Sequence, residues 1–259
     1  MAEPPLLECR DVSKAFGAVQ ALDHVDFEVH AGEVMALVGD NGAGKSTLIK
    51  GIAGIYPFDH GEIYVDGTHV HIHGPRDVAK LGIEIVYQDL ALADNLDVVA
   101  NMFLGRERTQ SRVLDEAAME RASRQTLTAL SVTTLQSVRQ TVSGLSGGQR
   151  QSVAVSKAVM WNSRIVILDE PTAALGVAQT RQVLSLVRTL AERGLAVVII
   201  SHNLHDVFEC ADRITVLRLG QRVALLEKSD TTQQEVVHAI TAGTLDRVPG
   251  IDEAEAAEA

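Results

Sequence analysis

Gly39-Asp40-Asn41-Gly42-Ala43-Gly44-Lys45-Ser46-Thr47 follows the spacing G-x-x-x-x-G-K-[S/T]. Ahead of it, Val34-Met35-Ala36-Leu37-Val38 is an apolar run of strand length. Behind it, Thr47 to Ile52 can continue as a helix. The glycines let main-chain N–H groups turn inward around a polyphosphate. The helix start adds partial positive charge, and Lys45 adds a full one. Ser46 puts a hydroxyl where Mg²⁺ would sit. A glycine-rich turn alone could be only a tight connection, but the Lys-Ser pair and the flanking strand favour phosphate binding.

Further along the chain, the same arrangement recurs. Gly82 to Tyr87 is a buried strand candidate that ends on Gln88. Ile165-Val166-Ile167-Leu168 runs into Asp169-Glu170, and Leu195 to Ile200 runs into Ser201-His202. Each polar group lies just after an apolar run, and in an open parallel sheet the carboxyl ends of the strands line one edge, where ligands bind. Residues spread over more than half the chain would then meet at one phosphate. Lys45 and the loop amides would neutralise charge. Ser46 and Asp169, with Gln88, would hold Mg²⁺ directly or through water. Glu170 would accept the proton of an attacking water, and His202 would hold the terminal phosphate. The bland alternative for Asp169-Glu170 is a helix-cap pair. No arginine finger is evident. A second anion-binding helix start lies at Ser146-Gly147-Gly148, where Ser146 is a good N-cap. One nucleotide hardly needs two such starts from one chain, so the second is expected to act on a neighbouring subunit.

The rest of the chain reads as follows. Leu6 to Arg10 and Val25 to Val29 are short strand candidates, and Gly61 to Ile72 is again strand-like. His69, His71 and His73 would then share one strand face. No carboxylate or cysteine completes a metal set, which favours a solvated face with Val70 and Ile72 turned inward. Pro75 opens a short helix. From about Leu96 to Val142 strand formers thin out, which predicts a helical insertion with an amphipathic helix over Asp115 to Leu130. Arg181 to Arg193 fits a helix closed by Gly194, and a hairpin turns around Gly220. Thr232 to Glu235 has capping-box spacing for a last helix that stops at Gly243. Phe16, taken alone, reads as a core residue.

The bulk numbers bound the function. At 259 residues the chain has room for one large domain or two small ones at roughly 150 residues each. Hydrophobic content of 46% supports a packed core. A net charge of −11 with no long basic run argues against nucleic acid or anionic lipid as main partner. Aromatics at 3% are too few for base-stacking platforms. Cys9 and Cys210 are far apart without metal spacing and read as reduced core thiols. Glu3, Pro4, Pro5 and Glu8 give no signal-peptide pattern. The apolar run Leu195 to Ile200 is far below the ~20 residues that span a bilayer.

Taken together, these motifs resemble the ATPase subunit of an ATP-binding-cassette transporter, over about residues 5 to 243. The resemblance rests on the phosphate loop, Gln88, the signature Leu145-Ser146-Gly147-Gly148-Gln149, the pair Asp169-Glu170 and the switch position His202. It implies an α/β, P-loop NTPase (RecA-like) fold. Its parallel-sheet core would carry an N-terminal antiparallel β subdomain and an inserted α-helical subdomain. The nucleotide-binding core would take residues 1–88 and 158–243, the helical subdomain 89–157, and an acidic tail 244–259 that is expected to be disordered. The family further implies a head-to-tail homodimer that binds ATP and Mg²⁺. Each ATP would lie between one subunit's phosphate loop and the other's signature, with Phe16 stacked on adenine.

The resemblance also implies a place at the cytoplasmic face of the membrane, beside permease subunits and, indirectly, an extracytoplasmic sugar-binding protein. Asp89 to Glu107 is similar to the monosaccharide-import branch, which transports sugars such as fructose or ribose. An ATPase for another solute, or a soluble non-transport one, is the alternative. One departure stands out. After Glu170 the family usually reads Ser-Ala-Leu-Asp, whereas this chain has Ala173-Ala174-Leu175-Gly176, which puts the usual Asp contact with the opposite subunit in doubt.

Overall fold

The computed structural model describes residues 4–243, so the acidic tail expected over 244–259 lies outside the described residues. The strands are β1 Leu7–Phe16, β2 Val19–Val29, β3 Val34–Val38, β4 His60–Val65, β5 Thr68–Val70, β6 Ile83–Val86, β7 Thr109–Gln110, β8 Val113–Leu114, β9 Ile165–Asp169, β10 Ala196–Ile200, β11 Arg213–Arg218 and β12 Gln221–Glu227. The helices are α1 Lys45–Ile52, α2 Pro75–Lys80, α3 Val98–Phe103, α4 Glu116–Ala129, α5 Gly147–Val159, α6 Val177–Glu192, α7 Leu204–Cys210 and α8 Gln233–Ala242.

The central sheet has the order β12-β11-β3-β10-β9-β6. Five of its strands are parallel, and β12 adds an antiparallel edge. Every residue of β3 and β10 is buried. Such strands are apolar throughout because both faces are covered. Side chains alternate between two clusters. Val34, Ala36, Val166, Leu168, Val197 and Ile199 face the layer that contains α5, α6 and α7. Met35, Leu37, Ile165, Ile167, Val198 and Ile200 face α1 and the antiparallel sheet β2-β1-β4-β5. A third cluster joins α3, α4 and the start of α5 through Val98, Met102, Phe103, Leu127, Val142 and Val153. The helix α5 belongs to two clusters, because Val153 faces the third while Ala154, Val155 and Ala158 face the first.

Four local expectations are corrected. The first two strands run much longer than the sequence suggests, through bulges that place Asp11 (φ 55°) and His24 (φ 51°) in the left-handed region. The strand-like stretch from Gly61 is a hairpin. Asp66 (φ 53°) and Gly67 (φ 69°) turn it, and β5 ends at Val70. His71 and His73 therefore lie beyond the strand, and the three histidines do not share one strand face. Among the described residues no group of three or more His, Cys, Asp or Glu is placed to hold a metal. The helical insertion contains a small two-stranded ribbon, β7-β8. Finally, α6 starts directly after Gly176 and not at Arg181, because Gln179 folds back to accept the Gly176 N–H at 3.3 Å. No helix of the described residues is long and apolar enough to cross a membrane.

Cys9 and Cys210 are both free and buried. Burial pushes the Cys210 thiol up to about 12 and raises Cys9 further still. Thiolate is the reactive form. An Ellman titration of the native chain at pH 8 is expected to show no fast thiol, and two after denaturation in guanidinium.

Candidate functional site

Strand register builds the site. Ile200 lies opposite Leu37 on one side and Asp169 on the other, and Val86 lies opposite Leu168. The residues that follow these strands therefore leave the sheet at one level. Gly39, Asp40, Asn41, Gln88, Glu170 and His202 line a single cleft of about 430 Å³. A second cleft of about 340 Å³ runs along the other side of the loop, between Val19-Gln20-Ala21 and Asn41 to Thr47.

The loop closes tightly on the strands behind it. Gly44 has φ 106°, and a Cβ there would sit 2.8 Å from the Ala21 carbonyl oxygen and 2.8 Å from Leu22 Cδ2. The Lys45 ammonium folds back over the loop and donates to the carbonyls of Gly39 (2.7 Å) and Asp40 (3.0 Å). Burial lowers its pKa, while the nearby carboxylates of Glu170, Asp40 and Asp169 pull the other way. Ala43 is buried; Asn41, Gly42 and Ser46 are exposed, and Thr47 is half-buried.

Asp169 and Glu170 have different surroundings. The Asp169 carboxyl is raised first by burial and then by the Glu170 charge. A divalent cation offsets both effects, so this half-buried carboxylate suits a metal. Glu170 has φ 49°, a conformation that costs a residue with a side chain about 1–2 kcal/mol. Its N–H donates to Ile200 O at 2.9 Å, and its Oε2 lies 2.8 Å from His202 Nδ1. His202 is 75% exposed and Glu170 only 16%, so the histidine covers the carboxylate from the solvent side.

Phe16 is not a core residue. It is 47% exposed and packs edge-on against Tyr56, with ring centroids 5.2 Å apart. The Tyr56 hydroxyl donates to Thr47 O at 3.2 Å, and the Lys14 ammonium stands 5.6 Å from the Phe16 ring and 5.5 Å from the Tyr56 ring. One ring face beside the phosphate loop is thereby held in place. Sequence reasoning missed Tyr56 and Lys14. An aromatic past the end of α1 carries no signal until the fold brings it to Phe16.

None of Leu145, Ser146, Gly147, Gly148 or Gln149 lines either cleft. Ser146 caps α5 in a full capping box: its Oγ accepts from Gln149 N (3.4 Å), and Gln149 Oε1 accepts from Ser146 N (2.8 Å). Gln149 Nε2 also donates to Thr134 O at 2.7 Å. Both ends of the Gln149 amide thus help to hold the turn. What stays open is the Ser146 hydroxyl proton with the N–H groups of Gly147 and Gly148. Gly148 permits a close approach, since a Cβ there would lie 3.0 Å from Gln179 Cβ on α6. Gly176 needs no such freedom: its φ is −76°, and a Cβ would meet nothing within 4 Å.

A family model described as "ABC transporter" matches residues 22–173. A fructose import ATP-binding protein of Rhizobium meliloti is 46% identical over 248 residues, covering 93% of this chain and 95% of that protein. A xylose/arabinose import ATP-binding protein of Sulfolobus acidocaldarius is 46% identical over 243 residues, covering 94% of this chain and 96% of that one. Among solved structures, a nucleotide-free ATP-binding cassette from an ABC transporter superposes with a TM-score of 0.79 at 26% identity. It covers 90% of this chain and 99% of that one.

Gly44→Ala is expected to lower the melting temperature, since the added methyl is both strained and overpacked at a cost of about 1–3 kcal/mol. It should also weaken binding of a fluorescent nucleoside triphosphate at least tenfold. A thermal melt and a binding titration on one preparation check both.

Proposed function

We propose, since the chain belongs to the ABC transporter family, that this ATPase powers uptake of a monosaccharide through a membrane permease. The sugar class is carried by relatives named for fructose and for xylose/arabinose import, which cover nearly the whole chain. The chemistry is carried by one observation: Gln88, Glu170 and His202 meet the phosphate loop around a single cleft.

In this proposal the N–H groups of residues 39–47 and the Lys45 ammonium bind the phosphates. Phe16, steadied by Tyr56, offers its open face to adenine. Ser46, Asp169 and Gln88 would hold Mg²⁺, which when bound would supply positive charge to the phosphates. Glu170 accepts the proton of the attacking water, and His202 leaves Glu170 to contact the terminal phosphate. The donors of Ser146, Gly147 and Gly148 complete the site of a second copy, so the working unit is a homodimer on the cytoplasmic face of the membrane. The division into a nucleotide-binding core and an inserted helical unit of residues 89–157 is supported by the separate cluster around Phe103, with α5 as the shared helix.

Glu170→Gln tests the chemistry. An amide cannot take the water's proton, so turnover is expected to fall by about 10²–10⁴-fold. ATP binding should persist, and light scattering should show an ATP-dependent dimer. Turnover equal to that of the unmodified chain would refute the role of Glu170. The transport half is tested by uptake of labelled sugars in a strain lacking this chain; unchanged uptake of every pentose and hexose removes it.

A further inference from the structure

A cavity of about 290 Å³ lies apart from the phosphate loop and shares no lining residue with either cleft there. One wall is the connection after α4, from Leu130 to Thr134, together with Ser152 of α5. The other is a face of α6, from Arg181 to Thr189. Arg181, Ser185 and Thr189 are spaced four residues apart and so form one row along that face. The apolar part of the lining is Leu130 and Leu186, both buried, and Val132, which is half-buried. Val132 packs against both the central cluster and the cluster around Phe103. The cavity therefore sits on the seam between the sheet and the helical insertion.

The rest of the lining is polar, and most of it is unengaged. The hydroxyls of Ser131, Thr133, Thr134 and Ser185 and the Gln182 amide make no hydrogen bond to other described residues. Ser152 Oγ donates to Gly148 O and Thr189 Oγ1 donates to Ser185 O, each at 2.9 Å, and both oxygens can still accept. Arg181 is exposed and has no ion pair among the described residues. By contrast, Arg188 on the same helix is held by Asp212 at 2.7 Å.

Charge marks the cavity further. The chain has 34 Asp and Glu against 23 Lys and Arg, yet no acidic residue lies between Glu120 and Asp169 or between Glu170 and Glu192. Both walls are built from these acid-free stretches. An anion that approaches Arg181 meets no carboxylate in the lining.

We propose that this cavity binds a phosphorylated monosaccharide. The Arg181 guanidinium takes the phosphate, whose oxygens match its planar fork. The free hydroxyls and the Gln182 amide are donors and acceptors at once, as sugar hydroxyls require. Leu130, Val132 and Leu186 cover the C–H face of the ring. The volume is at the small end of ligand pockets, enough for one sugar ring with its phosphate and short of a dinucleotide. A groove that holds only water has no preference among phosphate, sugar and their ester, so that preference is the deciding quantity.

The test is isothermal titration of fructose 6-phosphate into the full chain, with Mg-ADP saturating so that the phosphate loop is blocked. The dissociation constant is expected on the order of 0.1–1 mM, the range of polar ligands of this size. Inorganic phosphate and unphosphorylated fructose should each bind at least about tenfold more weakly. Arg181→Met should weaken binding of the sugar phosphate about tenfold or more, and Ser185→Ala about two- to fivefold, the scales of one charge-assisted and one neutral hydrogen bond. Both positions are exposed, so each variant should melt with the parent. Affinity unchanged by both substitutions, or no heat up to about 10 mM sugar phosphate, would overturn the site. Equal affinity for inorganic phosphate would leave an adventitious ion only and overturn the ligand class.

Discussion

The register between three buried parallel strands sets the height of every reactive group. Leu37, Ile200 and Asp169 lie side by side across β3, β10 and β9. A slip of one residue would move a strand end by about 3.3 Å and exchange its two faces. Neither face can accept the exchange here. Val197 and Ile199 are packed among helices, while Val198 and Ile200 are packed against the second sheet. The apolar alternation of the strands, which has no chemistry of its own, is what brings Glu170 and His202 to within a hydrogen bond across the sheet edge.

The same feature explains how much could be read from the sequence. The phosphate loop, the four strand ends and the caps at Ser146, Thr232 and Gly243 are local. Each is stated by a few adjacent residues, and the described structure has Ser146 and Thr232 as N-caps and Gly243 in the left-handed conformation. What was misread depends on partners distant in sequence. The lengths of β1 and β2 are set by cross-strand pairing through bulges, and nothing near Asp11 or His24 announces them. The break at Asp66-Gly67 did have a local signal, the Asp-Gly dipeptide, and the apparent period of the histidines hid it. Phe16 looked like core because its pair, Tyr56, is forty residues away. Asn101 carries no sequence signal, because its four hydrogen bonds all go to backbone atoms.

The start of α5 shows how a short motif divides its labour. Gln149 accepts from the Ser146 N–H and donates to Thr134 O, and so braces the turn from both ends of its amide. The two glycines have separate work. Gly148 lets α6 approach at Gln179, and Gly147 faces Leu175 of the turn after Glu170. The start of α5 is thus packed on the segment that carries Gly176. At that position neither strain nor crowding within the chain calls for glycine, so nothing in the described structure explains the departure from the usual Asp.

Two charged groups beside the phosphate loop are already engaged within the chain. Lys45 is held by two loop carbonyls and Glu170 by His202. A phosphate that enters must therefore exchange these contacts and not simply add to them. The net value of each exchanged hydrogen bond is only about 1 kcal/mol. The discriminating energy then comes from charge, in a cleft where the Lys45 ammonium and a row of main-chain amides are partly withdrawn from water. On the function proposed above, a terminal phosphate would compete with Glu170 for His202, whereas a ligand without one would leave that contact in place.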